Sequence, residues 1–213
     1  MNEDVYSRIF SRRIVPLVSF DDVSQAIPLA DALLAGGFDS VEVTFRTAAA
    51  AASIAAIARE RPQMLVGAGT VLTVANLEAA MAAGAKFAVA PGFNPKIVAA
   101  AQARGLPFLP GVATPTEVEA ALDAGLTNLK FFPAAPMGGV KFLSAIYAPY
   151  RHTGVKFLAT GGVSASNLAE WLSCPAVGAV GGSWLASHDD LAAARWDAIA
   201  AKCAESARIA ASL

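Results

Sequence analysis

The sequence predicts a (β/α)8 barrel of the TIM type, α/β in class, as one domain over residues 1–213. Three observations predict it. Short apolar runs alternate with alanine-rich helical segments along the whole chain, and such alternation implies a parallel sheet. The runs number eight, at a regular spacing of about two dozen residues, the rhythm of a barrel of this length. The turn after the first run, Ser19-Phe20-Asp21-Asp22, lacks glycine, whereas an open doubly wound sheet usually carries Gly-x-Gly-x-x-Gly there. The open sheet is the rival arrangement; the count of eight favours closure.

In chain order, the strand cores are residues 14–18, 41–45, 65–67, 87–90, 108–109, 129–132, 156–159 and 176–180. Helices are expected over 26–34, 48–59, 74–82, 96–103, 117–124, 140–148 and 167–172, with a longer one over 190–211 closing the chain. Gly36-Gly37, Gly84, Gly105 and Gly125 follow helical runs, where C-terminal caps belong. Thr114-Pro115-Thr116-Glu117 reads as a helix start, with Thr114 as cap and Glu117 closing a capping box. The alanine run 48–52 reads as a helix start, and Trp171, Trp184 and Trp196 read as packing groups.

Composition narrows the function classes. The net charge is −1 and charged residues make up 15% of the chain, against roughly 25% in ordinary soluble domains. Either some surface is hidden in subunit contacts or abundant alanine dilutes the charge. Nucleic acid is not the expected partner, because Arg12-Arg13 is the only adjacent basic pair and phosphate backbones need a clustered basic surface. No membrane span is expected: the charge-free stretch between Glu170 and His188 contains Pro175 and three glycines. The acidic start Met1-Asn2-Glu3-Asp4 does not resemble a secretory signal. Cys174 and Cys203 lack metal-ligand spacing and read as free thiols of a cytoplasmic protein.

Strands of an all-parallel sheet are covered on both faces and should be uniformly apolar, so exceptions carry information. The second strand reads Val41-Glu42-Val43-Thr44-Phe45-Arg46. Alternation puts Glu42, Thr44 and Arg46 on one face, toward the barrel interior. A buried carboxylate is costly unless paired. Glu42 is therefore half of a Glu42–Arg46 ion pair, or part of an edge strand with a wet face, or an acid/base group near the barrel mouth, with Arg46 above it for an anionic substrate. The sixth strand reads Leu129-Lys130-Phe131-Phe132. Desolvation there disfavours the ammonium and supplies the free amine, a good nucleophile toward ketones; the alternative is a lysine that snorkels to solvent. Two ionisable groups aimed into one barrel tip the reading toward chemistry.

Glycine-rich turns are expected after three strands: Gly67-Ala68-Gly69-Thr70, Thr160-Gly161-Gly162-Val163 and Gly181-Gly182-Ser183. The last two follow strands seven and eight, whose loops commonly hold phosphate in such barrels through backbone N–H groups; plain turn geometry is the competing reading.

In this order the motifs resemble the 2-keto-3-deoxy-6-phosphogluconate (KDPG) and 4-hydroxy-2-oxoglutarate (KHG) aldolases of class I. The resemblance rests on Val41–Thr47, Val66–Leu72, Pro91-Gly92, Pro110–Glu117, Lys130–Ala134, Thr160–Val163 and Gly181–Trp184. It implies a Schiff-base aldolase, a lyase needing no cofactor, with Lys130 as the imine-forming amine and Glu42 as general acid/base. Arg46 and Thr70 would hold the pyruvate carboxylate, and Pro91 and Phe132 would shape the pocket around the ketone. Gly161, Gly162, Gly182 and Ser183 would cradle the distal phosphate, and Thr160 looks like the gluconate-type enzymes. The implied partner is a small 2-keto acid or sugar-acid phosphate, within a homotrimer. Ala159, Ala135 and Ala90 depart from the family's usual proline, glutamate and serine; none removes a catalytic group, though together they bear on substrate preference.

His152 and His188 are isolated and read as surface histidines, too few and too distant for the metal site of a class II aldolase. The alternatives are a galactonate-type aldolase and, more distantly, a phosphate-binding barrel isomerase or a non-catalytic sugar-phosphate binder.

Overall fold

The computed structural model describes residues 4–213; the opening Met1-Asn2-Glu3 lies outside the described residues. The chain forms one parallel sheet closed around a core, with helices on the outside. Its strands are β1 (Ile14–Val18), β2 (Ser40–Thr44), β3 (Leu65–Gly69), β4 (Phe87–Val89), β5 (Phe108–Leu109), β6 (Gly111–Val112), β7 (Asn128–Phe131), β8 (Lys156–Thr160) and β9 (Val177–Gly182), in the order β5-β4-β3-β2-β1-β9-β8-β7-β6. β5 and β6 are two halves of one stave. Pro110 has no N–H to give and interrupts the ladder, yet its carbonyl accepts from the Lys130 N–H at 2.8 Å. The lower half pairs with β4, the upper with β7. Counted as staves there are eight, and the barrel prediction holds.

Besides shifts of one or two residues at other element ends, three features differ from the sequence reading. Gly67–Gly69 belongs to β3 and Gly181-Gly182 to β9, not to the turns that follow. The closing helix is two, α9 (His188–Ala192) and α10 (Trp196–Ala211), separated at Ala194, whose φ is +50°. The third difference is an unforeseen first helix, α1 (Val5–Arg12).

That helix plugs the barrel floor. Ile9 is fully buried and packs with Val15, Leu65, Phe87, Val89, Leu109, Leu158 and Ala179, the inward residues of the lower barrel; Val5, Tyr6 and Phe10 lie against the same cluster. The Tyr6 hydroxyl accepts from the Phe108 N–H at 3.0 Å. Phe10 sits where a Cβ on Gly178 would be. The outward faces of the strands meet the helix layer in a second core containing Val41, Val43, Phe131 and Phe157. The floor is therefore closed and apolar, and access is left to the end where the strands finish, the usual place for the site in such a barrel.

The remaining helices are α2 (Ala26–Ala35), α3 (Ala50–Glu60), α4 (Val74–Ala82), α5 (Pro95–Ala103), α6 (Pro115–Asp123), α7 (Gly139–Tyr150) and α8 (Leu168–Leu172). The predicted caps are present. Thr114 accepts from the Glu117 N–H while the Glu117 carboxylate accepts from the Thr114 N–H, a complete capping box. Gly37, Gly84, Gly105 and Gly125 take positive φ. Trp171 is buried; Trp184 and Trp196 are half-buried. Among the described residues no helix is long and apolar enough to cross a membrane.

Candidate active site

At the upper end of the barrel two ionisable side chains meet. Glu42 on β2 is 0% exposed and Lys130 on β7 is 4% exposed. The Lys130 Nζ donates to Glu42 Oε1 at 3.2 Å. Glu42 is paired, but with Lys130 rather than Arg46, and β2 lies between β1 and β3 rather than at an edge. Lys130 does not snorkel. Its Nζ lies 5.6 Å from the centre of the Phe132 ring, a cation–π distance.

The sequence builds this pair through its glycines. Glu42 is level with Gly67 and Thr44 with Gly69 across the β2–β3 ladder. A Cβ at Gly67 would run into the Phe87 ring, and one at Gly69 would stand 2.7 Å from Glu42 Cγ. The two glycines clear two inward positions: Phe87 fills the lower and the Glu42 carboxyl the upper. Gly111, beside Lys130 in register, plays the same part. A Cβ there would lie 2.6 Å from the Gly92 nitrogen and collide with the Pro91 carbonyl, so the Pro91-Gly92 turn crosses directly over it.

Thr44, fully buried, bonds to Ser19 through Oγ1 at 2.5 Å. Thr70, just beyond β3, is half-buried and holds φ +55°. That left-handed conformation is costly for a β-branched residue and tends to occur at functional positions. Pro91, following β4, is half-buried, as is Phe132, following β7 at the cis Phe132–Pro133 bond.

The glycine turns form the rest of the mouth. Arg46, exposed, lines a cavity with Phe132, Thr160, Gly161, Gly162, Gly182 and Ser183. With Leu17 of β1 also on its wall, the cavity brings together residues of five staves. Gly161 and Gly162 have φ of +100° and +82°, and a Cβ at Gly162 would lie 2.5 Å from that of Ala135. Here glycine is required for both backbone and space. Thr160 Oγ1 is buried beneath Gly181, whose Cβ would lie 2.6 Å from it. Among the described residues neither Thr160 Oγ1 nor Glu42 Oε2 has a hydrogen-bond partner, so both can engage a ligand.

All eleven residues singled out from the sequence therefore lie at the upper end of the barrel. Two features escaped that reading. The first is the clearing role of Gly67 and Gly69. The second is a recess on the far side of Ser183, lined by Ser19, Arg46, Ser187 and His188. His188 is not isolated: its Nε2 is 2.8 Å from Asp21 Oδ2, and that bond raises its pKa above the ordinary imidazole value. His152 is exposed. Among the described residues no group of three or more His, Cys, Asp or Glu is placed to hold a metal.

The site can be set beside known proteins. The family model described as KDPG and KHG aldolase matches residues 5–202. The 2-dehydro-3-deoxy-phosphogluconate aldolase of Treponema pallidum (strain Nichols) is 48% identical over 189 residues, 89% of each chain. The KHG/KDPG aldolase of Escherichia coli (strain K12) is 42% identical over 186 residues, 87% of this chain and 86% of its own. Among solved structures, the KDPG aldolase of Legionella pneumophila, with pyruvate captured at low pH as a covalent carbinolamine intermediate, aligns with a TM-score of 0.91. It is 35% identical and covers 96% of this chain and 98% of its own.

Proposed function

The chain belongs to the KDPG and KHG aldolase family, and from that premise we propose that Lys130 and Glu42 carry a Schiff-base cleavage of 2-keto-3-deoxy-6-phosphogluconate to pyruvate and glyceraldehyde 3-phosphate. The chain is a class I aldolase; the roles of individual residues and the choice of substrate are our reading. The observation that carries it is the buried Lys130 amine, 3.2 Å from a buried carboxylate at the open end of a barrel whose floor is sealed.

The chemistry follows from that geometry. The Lys130 amine adds to the C2 ketone, giving a carbinolamine. Loss of water leaves an iminium, an electron sink for the C3–C4 bond. Glu42, directly or through a water, takes the C4 hydroxyl proton as the C3–C4 electrons move toward the iminium nitrogen. Glyceraldehyde 3-phosphate departs and an enamine remains. Glu42 returns a proton to C3, and hydrolysis of the new iminium releases pyruvate and restores the amine. One carboxylate moves protons in both directions, which suits its place within hydrogen-bond reach of the reacting nitrogen. The carbinolamine captured in the Legionella relative supports amine addition as the first covalent step.

Arg46 and Thr70 hold the pyruvate carboxylate in this reading, and Pro91 and Phe132 flank the ketone. Thr160, Gly161, Gly162, Gly182 and Ser183 receive the distal end, where backbone N–H groups freed by left-handed glycines can point at phosphate. The family resemblance implies a homotrimer, which the low charged fraction suits; the cysteine usage is that of a cytoplasmic protein, and we read residues 1–213 as a single aldolase domain.

Borohydride reduction in the presence of pyruvate tests the assignment. The peptide containing Lys130 should gain a pyruvate-derived mass, and Lys130→Met should abolish it. A label on any other peptide refutes the role of Lys130. Absence of reducible adduct, with substrate still converted, would favour an isomerase.

A further inference from the structure

We propose that Asp190 and Trp184 are positioning residues for the distal anion, hanging the Gly182–Ser187 segment on α10, while the amine–carboxylate pair is held by the barrel alone. The inference rests on the functional reading above and adds to it which part of the fold sets acceptor recognition.

Two contacts carry it. The Trp184 ring lies against Gly182, where any Cβ would overlap it, and its Nε1–H donates to Ser206 Oγ at 3.3 Å. Ser206 is on α10 and 1% exposed. The Asp190 carboxylate, 5% exposed, accepts from Lys202 Nζ on α10 at 2.6 Å and from the Ser187 hydroxyl at 2.7 Å and backbone N–H at 3.3 Å. Arg195 Nη1 lies 3.6 Å from its other oxygen. Both ends of the segment that carries Ser183 are thus tied to one helix. From the other side, Gln25 Nε2 donates to the Leu191 carbonyl at 3.3 Å and His188 meets Asp21. The segment faces ligand: Ser183 lines the glycine-turn cavity, and Ser183 and Ser187 line the adjoining recess beside Arg46.

A buried carboxylate with a lysine is not the cheapest way to attach two helices, because apolar packing of equal volume is often as stable. What the ion pair adds is direction. It fixes the Ser187 hydroxyl and N–H, and through them the path back to Ser183. Lys130 and Glu42 are bonded to each other across the barrel and seated by Gly69, so they should not sense a change on α10.

The test compares Lys202→Met, Ser206→Ala and Lys202→Arg in the full chain. Two reactions are measured on each: pyruvate release from the phosphorylated substrate, and proton exchange at C3 of pyruvate, which needs the amine and carboxylate but no distal anion. Lys202→Met should raise KM for the phosphorylated substrate about tenfold with kcat within about twofold, the pattern of lost uniform binding. Pyruvate exchange should stay at the wild-type rate, and Lys202→Arg should restore most of the affinity. Equal loss in both reactions, or an unchanged KM, overturns the proposal. If Lys202→Met is insoluble, Ser206→Ala decides, with a smaller KM rise of about threefold expected and no change refuting. Wild-type protein that exchanges pyruvate protons but does not cleave the phosphorylated substrate would overturn the distal-anion reading itself. One that does neither would overturn the Schiff-base reading.

Discussion

Gly69→Ala should disable the site without touching an ionisable group. The added methyl carbon would lie 2.7 Å from Glu42 Cγ and 2.8 Å from Cδ, and nearer still to Oε1. Carbon atoms in ordinary contact stand about 3.5–4.0 Å apart, so the Glu42 side chain must shift by roughly 1 Å. The Lys130–Glu42 separation is 3.2 Å, already near the long end for a hydrogen bond. Misplacing a catalytic group by about 1 Å costs on the order of 10²-fold, and a positioned acid/base group contributes about 10²–10⁴-fold. The expected result is a kcat lower by about 10²-fold, close to 2.7 kcal/mol of barrier. The backbone at Gly69 needs no positive φ, so the variant should fold. Overpacking should cost about 1–3 kcal/mol, seen as a fall in Tm of roughly 2–4 °C per kcal/mol. The assay is pyruvate release at saturating substrate, with a thermal melt on the same sample. A folded Gly69→Ala protein with wild-type kcat would refute the reasoning, since Glu42 could not then owe its function to the seat that Gly69 leaves.

Further outcomes follow from the same geometry. Lys130→Met leaves a fully buried carboxylate unpaired and should destabilise by about 3–5 kcal/mol, whereas Lys130→Met combined with Glu42→Gln should recover most of that; denaturant melts showing no recovery would contradict a direct pair. Gly162→Ala forces a methyl into a left-handed position 2.5 Å from Ala135 Cβ and should raise KM for the phosphorylated substrate more than it alters pyruvate exchange, read by steady-state kinetics. His188 should titrate above about 6.5 because its hydrogen bond to Asp21 favours the imidazolium; that stabilisation is present below about 6.5 and disappears as pH rises through the raised value, and an NMR titration in which Asp21→Asn leaves the His188 midpoint unmoved would exclude it. The Asp190 pKa is lowered to about 2, chiefly by Lys202 and then by Ser187, so its contribution to stability is present above about 4 and is lost as pH falls toward 2; Asp190→Asn should flatten the dependence of Tm on pH across that window.

The parts of the site that were legible in advance are those where a residue contradicts its local surroundings. Glu42 interrupts a strand otherwise suited to burial, and Lys130 sits among Leu129, Phe131 and Phe132. Such contradictions persist only if something across the fold resolves them, and here each resolves the other. The glycine turns were legible because glycine is required at Gly161 and Gly162 by their left-handed φ. Helix α1 was missed although Tyr6, Ile9 and Phe10 fall at helical spacing; the window is one short helix long, and its apolar face has meaning only against a barrel floor. The break at Ala194 was missed because alanine favours helix and announces no stop.

Local order along the chain was enough to specify eight staves, their covering helices and the two groups most at odds with an apolar interior, because strand alternation and helix caps are properties of neighbouring residues. Which partner Glu42 takes depended on tertiary structure. Arg46 is four residues away and was the local candidate, but the carboxylate faces inward, where Lys130 arrives from across the barrel, 88 residues later. The same holds for Asp190 and Lys202, and for a tryptophan resting on Gly182. Contacts between side chains distant in sequence exist only once the sheet has closed, because closure alone brings their staves and helices within hydrogen-bonding distance.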